Sequence, residues 1–219
     1  MTTKVKICGL RDQAALDAAL DAGADYVGFV FFARSPRNVA PAVARRLADK
    51  ARGRAKIVAL LVDPDDGLLE EVVGAVDPDI IQLHGTESPT RVGEVAQRFG
   101  KPVMKAVAVG NAEDVSAALA YRSAAERILF DAKPLPSEGK ALPGGNGIAF
   151  DWQALAGLEE GLDFMLAGGL TPLNVAEAVR LTRAPAVDVS SGVESRPGEK
   201  DPELIRRFIS AAKTANQTP

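Results

Sequence analysis

The sequence is short of several things, and each shortage excludes something. It has one cysteine, so an intrachain disulfide and a thiol–disulfide relay are both impossible. It has one histidine, which rules out a histidine-rich metal site. No apolar stretch approaches the roughly 20 residues that span a bilayer, and the opening Met1-Thr2-Thr3-Lys4-Val5-Lys6 lacks the apolar core of a secretory signal. An excess of charge is also missing. Lys and Arg number 26 against 29 Asp and Glu, a net −3, so no electrostatic footprint marks nucleic acid or an anionic membrane as a partner. A reducing, cytoplasmic setting is expected. No Pro/Ser-rich linker, charge block or low-complexity tract interrupts the chain.

What is present points to an ordered globular protein: 219 residues, 47% of them hydrophobic and 25% charged. Eight short runs rich in Val, Ile, Leu or Phe stand out: Val5 to Cys8, Tyr26 to Phe32, Lys56 to Val62, Ile80 to Leu83, Val103 to Val107, Arg127 to Phe130, Asp163 to Leu166 and Ala186 to Val189. Most lack polar alternation, which is how strands buried on both faces read. Helical patterns lie between most of them. Asp12 is placed to cap a helix whose apolar face is Ala15, Leu16, Ala19 and Leu20, with Gly23 ending it. Pro41 opens a second, carrying Val43, Ala44 and Leu47. Leu68, Leu69, Val72 and Val73 mark a third; Val92, Val95 and Ala96 a fourth; Val115, Ala118 and Leu119 a fifth. Val175, Ala178 and Val179 belong to another, and Leu204, Ile205, Phe208 and Ile209 to the last. The stretch from Asp131 to Ala149 holds three prolines and four glycines and reads as a long loop, of the kind that is usually functional. Strand then helix, repeated about eight times, predicts an α/β protein: one (β/α)8 TIM barrel with a parallel sheet, filling residues 1–219. An open doubly wound sheet is the alternative, but Cys8-Gly9-Leu10-Arg11 is too poor in glycine for its first turn.

Active sites of such barrels lie at the C-terminal ends of the strands, which names candidates directly. Ala167-Gly168-Gly169-Leu170-Thr171 follows the seventh strand and Ser190-Ser191-Gly192-Val193-Glu194 the eighth. Loops in these two places commonly hold a phosphate on backbone N–H groups. Cys8 ends the first strand and is either a buried small hydrophobe or a base in its thiolate form. Asp131 ends the sixth, beside an apolar floor, and is either a general acid or a cap or ion-pair partner of Lys133. Arg37 offers a planar fork suited to a carboxylate, or is a solvated surface charge. His84, in Gln82-Leu83-His84-Gly85, is a general base or, the favoured reading, a structural hydrogen-bonding group. Gln82, Lys105 and Asp188 also fall at strand ends, and Asp63, just before Pro64, reads as a helix cap.

These residues together carry a resemblance. Lys6-Ile7-Cys8-Gly9-Leu10 resembles the opening motif of the phosphoribosylanthranilate isomerase family of tryptophan biosynthesis. The rest follows in order: Gly23-Ala24-Asp25-Tyr26-Val27-Gly28-Phe29-Val30-Phe31, Ser35-Pro36-Arg37, Gln82-Leu83-His84-Gly85, Phe130-Asp131, Gly144-Gly145-Asn146-Gly147, Phe150-Asp151-Trp152, Leu166-Ala167-Gly168-Gly169-Leu170, and Val187 to Glu194. The resemblance implies an Amadori rearrangement of N-(5-phosphoribosyl)anthranilate to the 1-deoxyribulose 5-phosphate adduct. It makes Asp131 the general acid at the furanose ring oxygen and Cys8 the general base at C2′. It gives Arg37 the anthranilate carboxylate, sets His84 among the substrate-binding residues, and gives the phosphate to Gly145, Gly147, Gly168, Gly169, Ser190, Ser191 and Gly192. It implies no metal and no organic cofactor, a small phosphorylated molecule as the only partner, and a monomer or a homodimer. One departure is Asn146, where the family usually has Thr or Ser. A sister barrel of histidine biosynthesis would want an aspartate at the place of Cys8, and a mere sugar-phosphate binder would need neither Cys8, Asp131 nor Arg37.

Overall fold

The computed structural model describes residues 2–133, 152–155, 158 and 162–216. Eight parallel strands close into a barrel in sequence order: β1 Lys4–Cys8, β2 Tyr26–Phe31, β3 Lys56–Leu61, β4 Ile80–Leu83, β5 Val103–Val109, β6 Arg127–Ala132, β7 Phe164–Leu166 and β8 Ala186–Val189. All eight predicted runs are strands, and the ends shift by no more than two residues. The ring closes where β1 pairs with β8 in the register Lys4–Ala186, Val5–Val187, Lys6–Asp188 and Ile7–Val189. The expected (β/α)8 architecture is therefore present.

Alternation along each strand sorts residues into two cores. On β1 and β2, Val5, Ile7, Val27, Phe29 and Phe31 face outward and join the large core beneath the helices. Fully burying a side chain the size of Phe29 contributes about 1.5–3 kcal/mol. The intervening positions face the barrel axis. Tyr26, Val58, Met104, Leu129, Met165 and Ala186 pack there as a separate cluster, and Cys8, Val30 and Leu60 form another. The interior is thus filled in layers of side chains, as in other barrels of this size.

The helices are α1 Gln13–Asp21, α2 Pro41–Ala51, α3 Asp66–Val76, α4 Pro89–Phe99, α5 Ala112–Ala118, α6 Val175–Thr182 and α7 Pro202–Thr214. Their starts follow local chemistry. Asp12 accepts from the Ala15 N–H at 2.9 Å, and Pro41 sits in the first turn of α2. Two expectations need correction. Asp65, not Asp63, caps α3, through the Leu68 N–H at 2.8 Å. The chain turns at Asp63, whose φ is +43°, and its carboxylate is drawn instead to the N–H and hydroxyl of Thr86. Leu119 does not extend the face of α5. The helix ends at Ala118 and Leu119 begins a 3₁₀ turn, 37% exposed. Between β6 and β7 the described residues contribute a 3₁₀ turn, Trp152–Leu155, rather than an α-helix. A two-stranded antiparallel ribbon, β9 Glu194–Arg196 and β10 Glu199–Lys200, follows β8 and was not foreseen, although Pro197-Gly198 is a turn signal.

Candidate active site

One cavity opens at the C-terminal ends of the strands, with about 680 Å³ of space including its mouth. Cys8, Arg37, His84, Asp131, Gly168, Gly169, Ser190, Ser191 and Gly192 all line it, as does Asp188, whereas Asp63, Gln82 and Lys105 do not. Gly145, Gly147 and Asn146 lie outside the described residues. Val30, Phe32, Leu60 and Val62, from β2, β3 and the loops that follow them, give the same cavity an apolar wall.

Cys8 sits at the last position of β1, nearly fully buried, and faces the barrel axis. Its carbonyl accepts from the Ser190 hydroxyl at 3.1 Å, which ties the two ends of the closing seam together. Two residues earlier on the same face is Lys6, fully buried, with Nζ 2.9 Å from Asp188 Oδ1. Burial pushes the Cys8 thiol up, Lys6 pulls it down and Asp188 adds to the push; the net direction is up. Burial also works against the Lys6 ammonium, but Asp188 and Cys8 outweigh it and hold its affinity for the proton above the ordinary lysine range.

Asp131 faces the axis from β6. Its Oδ1 accepts from the Ala132 N–H at 2.9 Å, and its Oδ2 lies 3.1 Å from Nε2 of His84. Nδ1 of His84 is 3.1 Å from the Gln82 amide nitrogen. When that amide donates to Nδ1, the ring proton is on Nε2 and is donated to Asp131. The alternative partner considered for Asp131 is corrected: Lys133 pairs with Asp114 at 3.2 Å. Lys105 is not in the cavity lining. It faces outward from β5 and holds Glu87 at 2.9 Å and the Gly85 carbonyl at 2.7 Å, fixing the loop that carries His84.

Arg37 is buried, so it is no solvated surface charge. It forks onto Glu194, Nε to Oε1 at 2.8 Å and an Nη to Oε2 at 2.9 Å. Glu194 also takes Lys200 Nζ at 2.7 Å, and Lys200 reaches the Ser190 carbonyl at 2.9 Å. Burial pushes Glu194 up, but Arg37 and Lys200 together hold its carboxyl below the usual range. Burial lowers Lys200 in spite of Glu194.

The glycine loops are shaped by close approach. Gly168 has φ +84°, and a Cβ there would stand 2.4 Å from the Ala132 nitrogen. At Gly192 it would fall 1.8 Å from the Leu170 carbonyl oxygen, so the β7 and β8 loops touch through backbone alone. Such an arrangement leaves main-chain N–H groups available to an anion. The cavity therefore combines a carboxyl, a thiol, a guanidinium and two glycine loops. Sequence reasoning missed Lys6, Glu194 and Lys200, which stand behind the lining and pair with Asp188, Arg37 and Ser190, and gave Asp188 no role. Lys6 lies inside the opening motif, but its partner is visible only once β1 and β8 are in register.

The profile of the family described as N-(5′-phosphoribosyl)anthranilate (PRA) isomerase matches residues 5–211. An N-(5′-phosphoribosyl)anthranilate isomerase of Rhodopseudomonas palustris is 56% identical over 218 residues, covering 100% of this chain and 99% of the relative. The crystal structure of phosphoribosyl anthranilate isomerase from Thermotoga maritima superposes with a TM-score of 0.86 at 36% identity, covering 96% of this chain and 98% of the other. A second crystal structure, of a phosphoribosyl anthranilate isomerase with reduced 1-(o-carboxyphenylamino)-1-deoxyribulose 5-phosphate bound, gives 0.83 at 35% identity, with coverage of 96% and 98%.

Proposed function

Since the chain belongs to the N-(5′-phosphoribosyl)anthranilate isomerase family and is an isomerase of tryptophan biosynthesis, we propose that Asp131 and Cys8 are the acid and base of its Amadori rearrangement. The observation that carries this is the placing of both groups in one cavity with Arg37 and the two glycine loops.

The substrate is N-(5-phosphoribosyl)anthranilate. Its phosphate rests on backbone N–H groups of Gly168, Gly169, Ser190, Ser191 and Gly192. Its aromatic ring lies along Val30, Phe32, Leu60 and Val62, with the carboxylate toward Arg37. Binding at these remote groups orients the sugar between acid and base. Asp131 gives its proton to the ring oxygen, the C1′–O bond breaks, and the anthranilate nitrogen supplies the electron pair that makes an iminium at C1′. The iminium acidifies the C2′ hydrogen. The Cys8 thiolate takes that proton, and the C2′–H electrons form the C1′–C2′ double bond while the nitrogen regains its pair. The resulting enolamine tautomerises to the ketone, 1-(2-carboxyphenylamino)-1-deoxyribulose 5-phosphate. Between turnovers the proton gained by Cys8 is lost to solvent and Asp131 regains one, so the proton count closes. His84 serves the same step by holding the Asp131 carboxyl. The reaction draws on proton transfers only, with no metal or organic cofactor, and we place it in the cytoplasm of the cell, in a monomer or homodimer.

The test is a fluorescence assay. Purified protein should consume phosphoribosylanthranilate with loss of anthranilate-type emission, and Cys8→Ala should abolish that loss while still binding a reduced product analogue. A folded Cys8→Ala enzyme that turns over like the wild type would refute the assignment.

A further inference from the structure

We propose that Lys6 is the counter-ion of the Cys8 base: its buried ammonium stabilises the thiolate from the layer beneath, and Asp188 sets how much of that charge the sulfur feels. This rests on the reading of Cys8 as base and assigns a positioning role to two residues below it.

The geometry comes first. Lys6 and Cys8 are two apart on β1, so both point to the barrel axis, one layer above the other. Asp188 is the register partner of Lys6 across the closing seam, and the two meet at 2.9 Å. On the other side of β1, Cys8 pairs with Gly28. A Cβ at Gly28 would stand 3.0 Å from Cys8 Sγ and 3.3 Å from Lys6 Cε. The sulfur and the end of the lysine chain thus converge on the space that this glycine leaves open. The Lys6 ammonium has three donors, and one of them goes to Asp188 Oδ1 at 2.9 Å.

Stability does not account for a lysine here. A fully buried ion pair is commonly no better than apolar residues of the same volume, since desolvation offsets the attraction. A leucine and a methionine would fill the layer as well. What they would not supply is a positive charge under the thiol. The other charged and titratable groups around the site are Arg37 after β2, His84 after β4, Asp131 on β6, Asp188 on β8, Glu194 on β9 and Lys200 on β10. Arg37 and Lys200 both pair with Glu194, and Lys6 is the cation in the layer under the sulfur. Burial still keeps the thiol above its ordinary range, with Lys6 as the largest opposing pull. Lys6 therefore makes a usable fraction of thiolate accessible in a pocket that would otherwise suppress it.

Cys8 is the only cysteine of the chain, so the ultraviolet absorbance of thiolate, followed against pH on the intact enzyme with the Cys8→Ala titration subtracted to remove tyrosinate, reports on this residue alone. Lys6→Met is expected to move the midpoint upward by about one pH unit or more, which is about tenfold less thiolate at any fixed lower pH. Asp188→Asn is expected to move it downward. A shift of opposite sign in the two variants is not something general loosening of the fold would produce. Should Lys6→Met fail to fold with Asp188 left unpaired, Lys6→Met/Asp188→Leu removes the whole pair, and its midpoint is expected above that of Asp188→Asn. Lys6→Met titrating with the wild type, both single variants moving in one direction, or the double variant at or below Asp188→Asn would overturn the proposal. Failure of the base assignment would show separately, as a Cys8→Ala enzyme with full turnover and an unaltered Lys6 effect on the wild-type thiol.

Discussion

His84 and Asp131 meet across the mouth of the barrel, Nε2 to Oδ2 at 3.1 Å. The histidine is thereby a partner of the proposed acid, and the Gln82 amide behind it fixes the ring from the other side. His84→Ala should lower kcat about tenfold with a smaller change in KM, the size of a lost hydrogen bond to a charged group of roughly 1.5 kcal/mol. Steady-state kinetics on the variant settle this, and a change confined to KM would count against it.

Asp131→Asn keeps the shape of the side chain and one of its two acceptor contacts but cannot give up a proton in the same way. A loss of about 10²–10⁴ in kcat is expected, the usual worth of a positioned acid or base. Affinity for a reduced product analogue, measured by calorimetry, should stay close to that of the wild type.

Rate against pH follows from the direction of the thiol shift. As the proposed base Cys8 would act as the thiolate, and burial raises its pKa above the ordinary value. At neutral pH most free enzyme therefore carries the thiol, and kcat/KM should climb with rising pH until the thiol has titrated. Glu194 titrates below the usual carboxylate range, so its hold on Arg37 should persist well into acid and fail only there. A profile of kcat/KM that falls from neutral pH toward the alkaline side would contradict the assignment.

Arg37→Ala should raise KM far more than it lowers kcat, because the contact it offers the carboxylate is made in the ground state as well as the transition state. Arg37→Lys should behave similarly, since lysine lacks the planar fork that engages both Glu194 oxygens. A wild-type KM in both variants would remove Arg37 from the binding site.

Gly192→Ala places a methyl group within 1.8 Å of the Leu170 carbonyl oxygen, so backbone must move. Gly168→Ala adds strain from φ +84°. Each should cost about 1–3 kcal/mol of stability and weaken inorganic phosphate as a competitive inhibitor. Thermal melts and inhibition constants would show it; unchanged values would mean the two loops are not built around an anion.

The strands were legible because burial on both faces writes an uninterrupted apolar run, and the site followed because the barrel rule ties function to strand ends. Cys8, Arg37, His84 and Asp131 were named as candidates in this way, and the family resemblance gave them their expected roles. What escaped was whatever depends on register or on a turn. Lys6 reads as a charge inside an apolar strand until Asp188 is set beside it. Glu194 and Lys200 belong to a ribbon too short for periodicity to reveal. Asp63 looks like a cap beside Pro64, and only its left-handed backbone shows that the helix begins two residues later, with Asp65.

The hydroxyl of Ser190 on the carbonyl of Cys8, and the Lys6–Asp188 pair beside it, join segments 182 residues apart in the sequence. Closure of the barrel at this seam is what sets Asp188 beside Lys6, two residues from the proposed base. A nascent or truncated chain lacking its eighth strand would bury the Lys6 ammonium with no anion to meet it and would lack the Ser190 tie to the end of β1. Turnover is in that sense a readout of complete folding, and half-barrels of this sequence have nothing to catalyse with until a complementary half supplies the missing edge.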